Sequence, residues 1–175
     1  AEAKAYIQYQ VGALSAFAAA NGKKLSHVKP HGALYNMAGK DIALATAICE
    51  GIKETDPSLI LLALSGSKMI EAAKNTGLKF AREVFADRAY ENDGSLVARS
   101  KPGSMITDEN EAVARVIRMV KEKKVRTVDG TDIDITADSV CVHGDNAHAL
   151  EFVKKIRAAL TDAGIEIAPL SEIIK

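Results

Sequence analysis

LILLAL, residues Leu59 to Leu64, is the stretch whose reading decides the fold. Six apolar residues in a row leave no solvent-facing position and are too few for a core helix. That is the pattern of a strand covered on both faces in a parallel sheet. Parallel strands need crossovers, so helices should flank this run on both sides. Upstream, Asp41 caps a helical pattern with Ile42, Ala45, Cys49 and Ile52 on one face. Downstream, Ser65-Gly66-Ser67 opens a helix that closes near Asn75 and Gly77.

Further out, residues 1–20 read as a helix stopped by Asn21-Gly22, and Leu25 to Val28 as a short strand leading into Pro30. Lys79 to Phe85 reads as another strand, followed by a polar segment over 86–104 that is long enough to be functional. Thr107 or Asp108 caps a helix whose stripe is Val113, Val116, Ile117 and Val120. Asp129-Gly130, between two alternating runs, signals a hairpin. Ser139 to Val142 is a further core strand running into His143; a helix with Leu150, Val153, Ile156 and Leu160 follows, and IEIAPL is expected to end the series as a strand. The repeated strand and helix give an α/β class with a parallel sheet. No linker or low-complexity tract divides the chain, so one domain over 1–175 is expected. On pattern alone, five core strands favour an open, doubly wound parallel sheet over an eight-stranded barrel.

Composition narrows the function classes. The 175 residues are 47% apolar and 26% charged, enough for a real core. No apolar run approaches the ~20 residues of a membrane span. Lysine plus arginine equals aspartate plus glutamate at 23 each, so net charge points to no nucleic-acid or membrane partner. Cys49 and Cys141 lack the spacing of a zinc or redox site and read as buried free thiols, in keeping with a reducing cytoplasm.

Two of the four histidines, His31 and His143, each end an apolar run and precede a glycine. Residues just past the carboxyl ends of strands form the active face of β/α architectures, so both imidazoles are candidates for acid, base or metal-ligand work in one site. Lys29 lies two positions before His31, and Asp145 stands beside His143 as a carboxylate partner or, together with Asn146, as a helix cap. Ser65 opens an anion nest at a helix start, without the spacing of a P-loop. The densest polar run, EVFADRAYENDGSLVARSKPG, contains Tyr90, Glu91, Arg99 and Lys101 and would also suit a solvated loop. Its opening lies at a strand end. Glu83 and Asp87 are therefore preferred as acid or base and Arg88 as a carboxylate clamp. His27 is expected to be structural and His148 to lie on the surface.

The blocks YQVGALSAFA, HVKPHGALYN, EVFADRAYENDGSLVARSKPG and VCVHGDNAHALEFVKKIR occur in order over nearly the whole chain, and on them the sequence resembles the LamB/YcsF family. The resemblance implies an incomplete (β/α) barrel related to the glycoside hydrolase and deacetylase-like barrels, in place of the open sheet. It further implies a cytoplasmic subunit that works with two partner subunits to convert 5-oxo-L-proline to L-glutamate, with ATP as co-substrate. With no P-loop in the chain, ATP is expected on one of the partners or in a different kind of site. His31, the Asp87-Arg88 pair and His143-Gly144-Asp145 are the positions that match. The family's first strand and an early His-Pro segment have no counterpart, so the chain is expected to be the later part of a longer barrel with part of its site. Use of a divalent metal and homo-oligomerisation stay open. The competing expectations are a metal-dependent deacetylase-like hydrolase and a non-catalytic binding or assembly subunit.

Overall fold

The computed structural model describes residues 1–144 and 149–175. The expectations for Asp145, Asn146 and His148 fall outside the described residues. Packing divides the chain into two units, Ala1–Ala81 with Leu170–Lys175, and Arg82–Pro169.

The first unit holds helix α1 (Glu2–Ala20), strand β1 (His27–Val28), helices α2 (Gly32–Ala38) and α3 (Ile42–Thr55), strand β2 (Ile60–Leu64) and helix α4 (Lys68–Thr76). As the apolar run requires, every residue of β2 is buried. β1 lies parallel to it, with His27 opposite Ile60 and Val28 opposite Leu61. On the other side, Leu61 N–H donates to the Lys79 carbonyl at 2.8 Å. Ile60, Leu62 and Ala81 pack against Leu170 and Ile174, from and just beyond the short helix α7 (Leu170–Ile173).

α3 starts where its cap predicts. The Asp41 carboxylate accepts from Ala43 and Leu44 N–H at 2.9 and 3.1 Å, satisfying amides that have no partner within the helix. Ala45, Ile48, Cys49 and Ile52 form its buried face, whereas Ile42 in the first turn is exposed. Burial pushes the Cys49 thiol up to about 11, so it is protonated and inert. Neither Cys49 nor the half-buried Cys141 forms a disulfide.

Gly51 sits where α3 meets α1: a Cβ there would lie 3.0 Å from the Lys4 carbonyl oxygen and 3.2 Å from the Ile7 Cβ. Gly51→Val should therefore destabilise the fold by about 1–3 kcal/mol through overpacking, read as a lower urea midpoint for the full-length protein.

The second unit takes in most of β3 (Phe80–Phe85), then α5 (Glu109–Lys121), β4 (Lys124–Arg126), β5 (Asp132–Asp134), β6 (Ser139–Cys141) and α6 (Ala149–Asp162). β3 and β6 run parallel, pairing Glu83 with Ser139, Val84 with Val140 and Phe85 with Cys141. A fork fixes that register. Arg82 Nε and Nη2 donate to the two carboxylate oxygens of Asp138 at 2.6 and 2.8 Å, and Arg82 N–H adds a third bond at 2.9 Å. Asp108, of the two proposed caps, accepts from Glu111 N–H at 2.9 Å. The fully buried line of α5 is Ala112, Val116 and Met119. β4 and β5 form the expected antiparallel hairpin, its turn carried by Gly130 at φ +81°.

The strand order is β1-β2-β3-β6, with β4 and β5 in a separate pair. Each strand of the parallel set is laid beside the one before it, and the order never reverses. A doubly wound sheet reverses at a switch point, whereas barrel staves follow in sequence. The fold is an incomplete (β/α) barrel, and the open doubly wound alternative is set aside.

One expected strand is corrected. IEIAPL is not a strand: residues 165–169 are irregular and lead into α7. Ile165 N–H is taken by the Leu160 carbonyl in the cap of α6, beside Gly164 at φ +72°, and Pro169 has no N–H. Ile167 is exposed, so burial does not favour a ladder there.

Candidate active site

In the first unit, His31 follows β1 and occupies the N-cap position of α2 in an extended conformation, with its side chain making no cap hydrogen bond. The ring is exposed. Gly32 beside it has φ +59°, a conformation that side chains beyond glycine rarely adopt, and it leaves the backbone open to close approach. Lys29 Nζ sits 5.6 Å from the centroid of the buried Tyr35 ring, a cation–π contact that holds the lysine near the end of β1. Ser65 is buried directly after β2, ahead of Gly66 at φ +77° and the start of α4.

The second unit holds Glu83, Asp87, Arg88 and His143, together with one residue that the sequence did not single out, Arg99. Glu83 is buried within β3. Asp87 and Arg88 follow that strand, and His143 follows β6. Because β3 and β6 are parallel neighbours in register, residues two positions beyond their paired ends meet. His143 Nδ1 lies 2.7 Å from Asp87 Oδ2. The imidazole also stacks on Phe85, with centroids 5.8 Å apart and planes at 30°. Its other nitrogen, Nε2, lies 3.4 Å from Arg99 Nη2.

These partners determine the tautomer. A carboxylate only accepts and a guanidinium only donates, so the proton sits on Nδ1 and the lone pair on Nε2. Asp87 Oδ1 is buried with no hydrogen-bond partner among the described residues.

The loop beneath this pair is tied down by the polar run itself. Tyr90 is fully buried, and its hydroxyl accepts from Phe85 N–H at 2.9 Å as β3 ends. Burial pushes its phenol well above the ordinary range. Asp87 C=O accepts from Ile106 N–H at 2.9 Å, and Ala89 N–H donates to Ser104 C=O at 3.0 Å. Arg88, the expected carboxylate clamp, is buried, with Nη2 donating to the Val97 carbonyl at 2.6 Å. Burial first, and then the nearby Arg99 guanidinium, push Arg88 below its usual value, while Asp87 pulls the other way. Arg99 is exposed, and its carbonyl accepts from Ser104 Oγ at 3.4 Å.

Among the described residues, no three histidine, cysteine, aspartate or glutamate side chains gather as ligands for a cation. Among them, too, no helix is long and apolar enough to cross a membrane. Tyr90 could have been suspected as a large ring inside a polar stretch. Arg99 carries no such signal, because its partner is 44 positions away.

Sequentially ordered parallel staves define a β/α-barrel protein, and the carboxylate-backed imidazole past its strand ends is a candidate acid/base pair. Known relatives agree in class: the LamB/YcsF family matches residues 1–175. The chain is 67% identical to a 5-oxoprolinase subunit of Clostridium beijerinckii over 98% of its own length and 68% of that relative's. It is 56% identical to the corresponding protein of Campylobacter jejuni over 99% of this chain and 68% of the other. The crystal structure of the lactam utilization protein from Thermus thermophilus superposes with a TM-score of 0.86 at 46% identity, covering 95% of this chain and 66% of that one. The chain belongs to the LamB/YcsF family and spans about two thirds of the length of these relatives.

Proposed function

We propose that this chain forms part of a cytoplasmic 5-oxoprolinase subunit that works with two partner subunits to open the lactam ring of 5-oxo-L-proline at the expense of ATP. The close identity to proteins named as 5-oxoprolinase subunits supports the reaction, and the Asp87–His143 pair at 2.7 Å supports the chemistry. The lactam is an unactivated amide. ATP supplies the driving force and ends as ADP and phosphate; one water opens the ring and another ends in the phosphate.

In this reading His143 Nε2 takes the proton of the attacking water. Asp87 holds the Nδ1–H tautomer and stabilises the imidazolium that forms. The C–N bond then breaks, and the ring nitrogen leaves with a proton as the amine of glutamate. Glu83 is a second candidate acid/base group, held in β3. In the first unit, His31 is a further acid/base candidate, and Lys29 and Ser65 are candidates for substrate contact. Arg88 supports the loop that presents Asp87, and Asp145 retains its place as a candidate substrate contact.

The test is glutamate formation from 5-oxoproline by the full-length protein assembled with its partner subunits, with and without ATP. Activity should require ATP. His143→Ala and His31→Ala should each lower kcat about tenfold or more; full activity in both variants would remove them from the reaction.

A further inference from the structure

We propose that Arg99 is a removable cap on the base: its guanidinium occupies the Nε2 lone pair of His143, and the carboxylate of the incoming substrate draws it away. The proposal rests on the reading of His143 as base and of 5-oxoproline as substrate.

Four observations carry it. Arg99 Nη2 stands 3.4 Å from Nε2, at the long end of hydrogen bonding, so the contact is weak and readily exchanged. The opposite nitrogen is fixed by Asp87 at 2.7 Å and the ring is backed by Phe85, so the imidazole has little freedom to turn away. Arg88, the neighbouring guanidinium, is buried with Nη2 on the Val97 carbonyl, whereas Arg99 is an exposed cation beside the pair. The mutual repulsion of Arg88 and Arg99 further favours an anion at this point.

A substrate carboxylate offers Arg99 a bidentate, charge-assisted partner in place of one long bond to a neutral nitrogen. Arg99 then releases Nε2 while holding the substrate beside it. No proton moves in this exchange: Arg99 stays charged, and His143 stays neutral with its hydrogen on Nδ1. Base activation is thereby coupled to the carboxylate of the lactam, and a lactam without one binds a site whose base remains occupied.

The experiment compares wild type, Arg99→Met, which has no N–H donor in its side chain, and Arg99→Lys in the full-length protein assembled with its partner subunits. The substrates are 5-oxoproline and 2-pyrrolidinone, the same ring without the carboxylate. Arg99→Met should raise KM for 5-oxoproline about ten- to hundredfold, the loss of one charged hydrogen-bonding partner. It should also raise kcat/KM for 2-pyrrolidinone above wild type, because the cap is gone. Arg99→Lys should recover part of the 5-oxoproline KM. A merely structural arginine would lower both substrates together, and that outcome, like an unchanged KM for 5-oxoproline, overturns the proposal.

A second readout is the ¹⁵N resonance of His143 Nε2 in the labelled full-length protein. It should move toward the free lone-pair position in Arg99→Met, and in wild type on adding 5-oxoproline but not 2-pyrrolidinone. If the wild-type complex makes no glutamate, the reading of the reaction has failed by itself. The resonance still decides the cap, since identical Nε2 signals in wild type and Arg99→Met overturn it.

Discussion

Asp87→Asn is expected to lower kcat/KM for ATP-dependent ring opening by about a hundred- to ten-thousandfold while leaving the protein folded. The change is one of hydrogen-bond polarity. An aspartate at 2.7 Å from Nδ1 can only accept, and so it keeps the ring hydrogen on that nitrogen. An asparagine can turn its NH₂ toward Nδ1, which reverses the tautomer and places the hydrogen on Nε2, where a base must have none. It also removes the charge that stabilises the imidazolium during proton transfer. Steady-state kinetics on the assembled enzyme would measure the loss, and a thermal melt would separate it from unfolding. Asp87→Asn activity within about threefold of wild type would remove His143 from the role of base.

Tyr90→Ala is expected to cost about 3–5 kcal/mol of stability, the range for deleting a large ring from a core. The ring is fully buried in the second unit, so little of the resulting cavity can be filled by small shifts. Its hydroxyl also accepts from Phe85 N–H at 2.9 Å. Tyr90→Phe isolates that bond. It keeps the ring but removes the hydroxyl acceptor, and should cost about 1–3 kcal/mol. Urea unfolding of the full-length protein would give both values, and equal losses in the two variants would show that the hydroxyl rather than the ring carries the effect.

The sequence is most legible where a short-range pattern matches a short-range cause. β2 is evident in LILLAL, because only a strand buried on both faces accommodates six apolar residues between helix signals. The start of α3 is evident at Asp41 and the hairpin at Asp129-Gly130, since caps and tight turns are set by residues a few positions apart. Legibility fails at IEIAPL, where the apolar letters suggest a ladder but the first amide closes a helix cap and the proline has none to give. It also fails at Arg99. That residue looks like one more solvated charge in a polar run, and its contact with His143 exists only because β3 and β6 lie side by side. Asp87 and His143 are each recognisable from position after a strand, but their 2.7 Å contact depends on tertiary register. Arg88 stands out by its place at a strand end while its burial does not, since nothing local says which of two arginines in one loop faces inward.

The Arg82–Asp138 fork and the Asp87–His143 pair each join residues 56 positions apart. Both therefore form only when the chain has closed one long loop and laid β6 against β3. Closing such a loop costs entropy before any contact compensates it, and topologies rich in such distant pairings fold slowly. The intervening β4–β5 hairpin pairs residues close in sequence and contributes to neither contact. A newly made chain with its helices in place would still lack the Asp87–His143 pair, and on the proposed reading the onset of activity would report the docking of β6 on β3.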